Sequence, residues 1–177
     1  MPVTEKDIAK ALPLLRRIER EHLRGLVMRV WLEAARRGGW DDLEGIPFTL
    51  LIKPAPYDLL EHTRRVAEMA LAVGEKRNDV DRDLLLAGAL LHDVGKLLEY
   101  RRVGGEVVLS PSGRLLRHPI SGAALVLEMG GDERLAHIVA THSREGELLK
   151  SGRSPEATIV YHCDFIDFEI AKGAIQK

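Results

Sequence analysis

The sequence predicts an all-α fold, a helical bundle that carries one small β-hairpin and an N-terminal helical extension. Three features of the 177 residues point to it. Apolar residues recur at helical spacing through most of the chain. The recurring stretches open at Thr or Asp and stop at Gly, as helices do. One stretch, Arg101 to Leu109, breaks this pattern and reads as two short strands around Gly104-Gly105.

Taken in order, Thr4 with Asp7 makes a capping box, with Asp in place of the usual Glu, and opens a helical region to about Arg37, where Gly38 and Gly39 end it. Pro13 divides that region. Leu23, Leu26, Val27, Val30 and Trp31 share one face, which should pack on the rest of the protein. Residues 40–57 hold Gly45, Pro47, Pro54 and Pro56, which forbid a long helix and suit an irregular connection. Asp58 then caps a helix to about Lys76, with His62 inside it. Asp81 starts a second helix, apolar throughout Leu84 to Leu91 and ending in His92-Asp93. A helix apolar on every side belongs in the core. After the hairpin, Ser110 to Gly113 is a loop, and Pro119 sits in the first turn of a helix through Met129. Gly130-Gly131 stop that helix, Asp132 caps the next, which runs to about His142, and a last helix spans Pro155 to about Lys172.

Composition excludes several classes. Hydrophobic residues at 45% and charged residues at 30% describe a globular chain, not a disordered one. A formal net charge of −1 lacks the basic footprint of a general nucleic-acid binder, so any contact with RNA is expected to be local to a site. The single cysteine, Cys163, lies among Ile159, Val160 and Ile166, which suggests a buried, inert thiol in a reducing compartment, the cytoplasm. No signal-peptide pattern or apolar run of membrane-spanning length is seen, so no membrane partner is expected.

Six residues stand out as ligands for hard metals: His62, His92, Asp93, His118, His142 and Asp164. Apart from the adjacent pair, each falls on or beside a different helix. Imidazole and carboxylate donors without thiolate suit Fe, Mn, Co, Ni or Zn rather than a structural zinc site. His92-Asp93 is the most informative pair, because a core helix that ends by burying a His beside an Asp must satisfy both polar groups there. His22, His137 and His162 read as ordinary core or surface histidines.

At these residues the sequence resembles the HD-domain phosphohydrolases, whose signature is a His, a His-Asp doublet and a distant Asp, as in His62, His92-Asp93 and Asp164. The wording around them agrees: Leu59-Leu60-Glu61-His62-Thr63 and Leu91-His92-Asp93-Val94-Gly95-Lys96. His118-Pro119-Ile120-Ser121-Gly122 and Ala140-Thr141-His142 resemble the additional ligands of the subgroup that binds two metals. Within that superfamily the chain is similar, from about Leu59 to Asp167, to the catalytic domain of bacterial HD-type 3′ to 5′ exoribonucleases. The similarity includes Gly95-Lys96-Leu97-Leu98-Glu99-Tyr100, Ser112 to His118 and Tyr161-His162-Cys163-Asp164. It departs from them at His142-Ser143, where paired histidines are usual, and at Pro54 to Asp58, where a Gly-rich element is usual.

The resemblance implies an HD-domain bundle over residues 58–177, with residues 1–57 as an N-terminal helical extension and connecting loop. It implies two divalent metal ions, one held by His62, His92, Asp93 and Asp164. The other is held by His118 and His142, with Asp93 as the bridge. Lys96, one turn beyond His92, is expected to meet phosphoryl oxygens. Arg117, beside His118, and Arg144, two residues after His142, are expected to bind substrate phosphate, and Glu61 and Asp167 to orient imidazoles. The expected activity is hydrolysis, by metal-activated water, of a phosphomonoester or phosphodiester of a nucleotide or short oligoribonucleotide. The alternative is a nucleotide-binding signalling or scaffold HD domain without turnover. The expected partner is a phosphorylated small molecule, nucleotide or short RNA, and the oligomeric state is open.

Overall fold

The computed structural model describes residues 2–175 of the chain. Helix α1 (Glu5–Ala11) starts at a reciprocal cap in which Thr4 Oγ1 accepts from the Asp7 backbone while the Asp7 carboxylate accepts from the Thr4 N–H. Pro13 opens a separate 3₁₀ turn, so the helical region is divided where the ring removes a donor. Helix α2 (Glu21–Gly38) ends at Gly39, in the left-handed conformation a C-terminal cap requires. Helices α3 (Leu59–Gly74) and α4 (Arg82–Leu91) begin at Asp58 and Asp81, whose side chains accept from the backbone three residues on.

Helix α4 is the axis of the bundle. All of Leu84 to Leu91 is buried, and α2, α3, α7 (Glu133–Thr141) and α8 (Pro155–Ile175) pack around it. Each fully buried leucine contributes roughly 1.5–3 kcal/mol. The surface of α4 must be smooth where α7 crosses: a Cβ on Gly88 would lie 2.6 Å from Ile138 Cγ2. Helix α2 and the residue just past its cap close the remaining side through two indoles. Trp31 donates to the carbonyl of Leu90 at 2.9 Å, and Trp40 donates to that of Leu97 at 2.8 Å.

After α4 the chain turns through His92 to Gly95 into the one-turn helix α5 (Lys96–Glu99), then into strands β1 (Tyr100–Val103) and β2 (Glu106–Leu109). The hairpin is antiparallel, with Tyr100 opposite Leu109 and Val103 opposite Glu106, and Gly104 and Gly105 both take positive φ at its turn. The chain returns in α6 (His118–Glu128), which starts against the turn between α4 and α5. A Cβ on Gly95 would stand 2.1 Å from the His118 carbonyl oxygen, so only glycine lets the two segments touch and bring His118 beside Asp93. Helix α7 is capped by Asp132. Among the described residues, no helix is long and apolar enough to cross a membrane.

Candidate metal centre

Five helices deliver side chains to one end of the bundle. His62 comes from α3, His92 caps the end of α4 with Asp93 after it, His118 opens α6, His142 caps α7 and Asp164 lies on α8. All six residues picked out in the sequence converge. One donor atom each from His62, His92 and Asp164 lie within 4.8 Å of one another, and so do donors from Asp93, His118 and His142. Asp93 faces both groups. Its Oδ2 is 3.4 Å from His62 Nε2 and 3.5 Å from His92 Nε2, while its Oδ1 is 3.1 Å from His118 Nε2 and 3.4 Å from His142 Nε2.

Every imidazole is oriented through its other nitrogen. His92 and His142 stand just past helix ends, where Nδ1–H donates at 2.7 Å to the carbonyls of Ala89 and Val139. His62 Nδ1–H donates to Asp167 Oδ2 at 2.7 Å, and His118 Nδ1–H donates to Glu99 Oε2. These partners accept only, so the proton sits on Nδ1 and the Nε2 lone pairs point inward. Two such lone pairs meet at 3.3 Å between His62 and His92, and two more at 3.3 Å between His118 and His142. Asp93 Oδ1, fully buried, accepts no hydrogen bond. Lone pairs converging on an unpaired buried carboxylate oxygen repel unless a cation lies among them, so the donor set fits divalent metal ions.

The local electrostatics agree. Burial opposes a charge on His62, yet the carboxylates of Asp164, Asp167 and Asp93 outweigh it and raise the imidazole to about 10. Without a metal the pocket draws in a proton instead. Burial also works against ionisation of Asp93, but Lys96 and the imidazoles hold it well below the usual carboxylate range. Lys96, 7% exposed, donates to Asp93 Oδ2 at 2.6 Å and to the carbonyl of Phe48.

Above the centre lies a cavity of about 560 Å³. Asp93, Lys96 and His118 form its floor, and Arg117 and Arg144 both line it, Arg117 while paired with Glu145 at 3.3 Å. Asp167 takes the orienting place expected of it and also accepts from the Tyr57 hydroxyl at 2.7 Å. Glu61 does not: it faces outward, where Arg65 one turn on donates to it at 2.5 Å. His137 serves packing, its Nε2 accepting from the Ser154 backbone.

Sequence reasoning missed three contributors. Glu99, on the one-turn helix α5, holds His118 by both its ring and its backbone N–H. Tyr57 braces Asp167, and the strap 48–52, from the irregular connection, forms a wall of the cavity, with Phe48 stacked on His62 at 4.8 Å between ring centres. The only signal available was the order of residues: Glu99 lies three positions after Lys96, and Tyr57 directly before a helix cap.

A tRNA (cytidine(56)-2′-O)-methyltransferase of Thermoplasma volcanium is 33% identical over 60% of this chain and 30% of its own length. An uncharacterized protein of Methanocaldococcus jannaschii is 32% identical over 63% of this chain and 67% of its own. The 3′-5′ exoribonuclease YhaM of Geobacillus is 35% identical over 62% of this chain and 36% of its own. The chain thus spans about a third of the methyltransferase and of the exoribonuclease. No solved structure gives a significant match. The HD domain model matches residues 59–169, a segment that holds all six converging ligand candidates, and the chain belongs to the HD-domain family.

Proposed function

We propose that the protein is a metal-dependent phosphohydrolase that cleaves a phosphomonoester or phosphodiester bond of a nucleotide or short oligoribonucleotide. The observation that carries this reading is Asp93, a buried carboxylate with one oxygen toward each of two His-containing clusters and Oδ1 without a donor. In this reading His62, His92, Asp93 and Asp164 hold one cation, and Asp93, His118 and His142 hold a second. Divalent ions bound there would supply the Lewis acidity that makes water nucleophilic near neutral pH and neutralises phosphoryl charge. Their identity is left to Fe, Mn, Co, Ni or Zn by the donor set.

The chain's own groups do the rest. Asp93 fixes the ammonium of Lys96 at the cavity floor, where its remaining proton can meet a phosphoryl oxygen. Arg117 and Arg144 on the wall bind further phosphate oxygens in planar, paired fashion. The strap 48–52 excludes water on one side, which gives residues 1–57 a part in the site of the 58–177 unit. The names of the exoribonuclease relatives support an RNA or nucleotide substrate, and the cavity volume, within the range of roughly 300–1,000 Å³ for small-molecule sites, supports a short one. The buried thiol of Cys163, pushed up to about 11 by burial, suits the reducing cytoplasm.

The test is a panel: nucleoside monophosphates, cyclic nucleotides, dinucleotides and a labelled 20-mer RNA, each with Mn, Fe, Co or Ni. Turnover confined to the short phosphoesters is expected, whereas a protein that binds metals and nucleotides but hydrolyses nothing on the panel is a scaffold and ends the proposal. A second expectation concerns the orienting acids. Asp167→Asn should weaken the ion at His62, and Glu99→Gln the ion at His118, each by about 10–100-fold in affinity with the other ion retained. Metal titration followed by calorimetry reads this directly. Equal loss of both ions in either variant would contradict the assignment of ligands to two sites.

A further inference from the structure

Tyr100 opens β1 directly after Glu99, and only 5% of it is exposed. Its side chain lines the same cavity as Asp93, Lys96, His118 and Arg117. Tyr57, the other tyrosine near the centre, spends its hydroxyl on Asp167. The Tyr100 hydroxyl has no protein partner among the described residues, and it is not sealed among the buried unpaired atoms either, so it opens to the cavity. A hydroxyl so placed is available to donate to whatever occupies the cavity.

The charges around it define what that acceptor is. Lys96, Glu99, Asp93 and Arg117 all act on the phenol. Burial first, and the two acids after it, push the group up to about 12 against the two cations, so it stays a neutral donor through the range in which an enzyme works. Each acid already has one oxygen engaged, and neither accepts from the tyrosine. Asp93 Oδ2 takes Lys96, and Glu99 Oε2 takes both donors of His118. Lys96 has already committed two of its protons, to Asp93 and to the Phe48 carbonyl. Beside the one proton that Lys96 keeps and the guanidinium of Arg117, the tyrosine adds an uncommitted neutral donor to the same cavity.

We infer that Tyr100 is a substrate-contacting residue whose hydroxyl donates a hydrogen bond to a non-bridging oxygen of the phosphoryl group beside Lys96. The inference rests on the hydrolase reading for the identity of the ligand, and it extends to any phosphate that enters the cavity. Phenylalanine at this position keeps the ring and its packing and deletes only the donor.

The experiment compares the Mn-loaded full chain with its Tyr100→Phe variant. Steady-state kinetics use p-nitrophenyl phosphate and bis(p-nitrophenyl) phosphate, and calorimetry measures binding of inorganic phosphate. Metal content and melting temperature are expected to match. The phosphate Kd is expected to rise, and kcat/KM to fall, by about 10- to 100-fold, the loss of one hydrogen bond to a charged group. Phosphate binding that is equal in the two proteins, or absent from both, overturns the inference. If neither ester is hydrolysed while phosphate binding still weakens in the variant, the hydrolase reading fails and the contact stands.

Discussion

On the proposed two-ion reading, the Asp93→Asn protein is expected to lose both cations and, with them, turnover by about 1,000-fold or more. The physical reason lies in the position of the carboxylate. Two divalent ions held close together need an anion between them, and Asp93 is the only side chain whose two oxygens face both clusters among the described residues. The amide keeps its volume but halves the accepting oxygens and turns an N–H₂ toward imidazole nitrogens or a cation. Several kcal/mol of charge stabilisation are lost, and each 1.36 kcal/mol is a factor of ten. Asn is a better test than Ala. Ala would leave Lys96 buried with only the Phe48 carbonyl, and breaking a buried pair costs about 3–5 kcal/mol, which confuses loss of metal with loss of fold. The amide oxygen of Asn can still accept from Lys96. Elemental analysis per chain, together with kcat on an aryl phosphate, reads the outcome; an Asn variant that retains both ions and full rate removes Asp93 from the centre.

The convergence at that centre was legible because helix ends are. Asp58, Asp81 and Asp132 announce where α3, α4 and α7 begin, and an all-apolar α4 announces which helix lies innermost. His92 and His142 then fall just beyond helix C-termini, where a ring nitrogen reaches the carbonyl three residues back. What was not legible depends on contacts distant in sequence. Glu99 sits on a helix of four residues, too short to carry a period, and its direction is set by the hairpin that follows. Residues 48–52 have no regular structure to read. They lie over the site because Lys96 holds the Phe48 carbonyl and because Phe48 stacks between His62 and Tyr57. Glu61 and Asp167 looked alike as neighbours of ligands, yet a shift of a few residues around a helix turns one outward to Arg65 and the other inward to His62.

Stripping the metals should not merely lower stability; it should reverse how stability responds to pH. In the chelated protein His62 is raised from 6.5 to about 10, so it binds a proton in the folded state that the unfolded chain gives up earlier. That contribution is complete below pH 6.5 and disappears as pH climbs through 10. Lys96, also raised above its ordinary value, acts in the same direction at the alkaline end. Asp93, Asp164 and Asp167 are lowered, and lose their contribution only on acidification; His142, lowered by burial, likewise acts below 6.5. Bound metal takes the place of the His62 proton and requires the imidazoles to be neutral, so metal affinity grows as pH rises. At an ion concentration of 100 times Kd the gain is about 2.7 kcal/mol per site, which for a chain of this size raises Tm by roughly 5–11 °C. Melting curves from pH 6.5 to 10 should therefore diverge, the chelated protein falling and the Mn-loaded protein holding or rising against it. Cys163, raised by burial in both forms, cancels from the comparison. Parallel curves would mean that no metal displaces the His62 proton, and the six converging side chains would then be a hydrogen-bonded core rather than a metal centre.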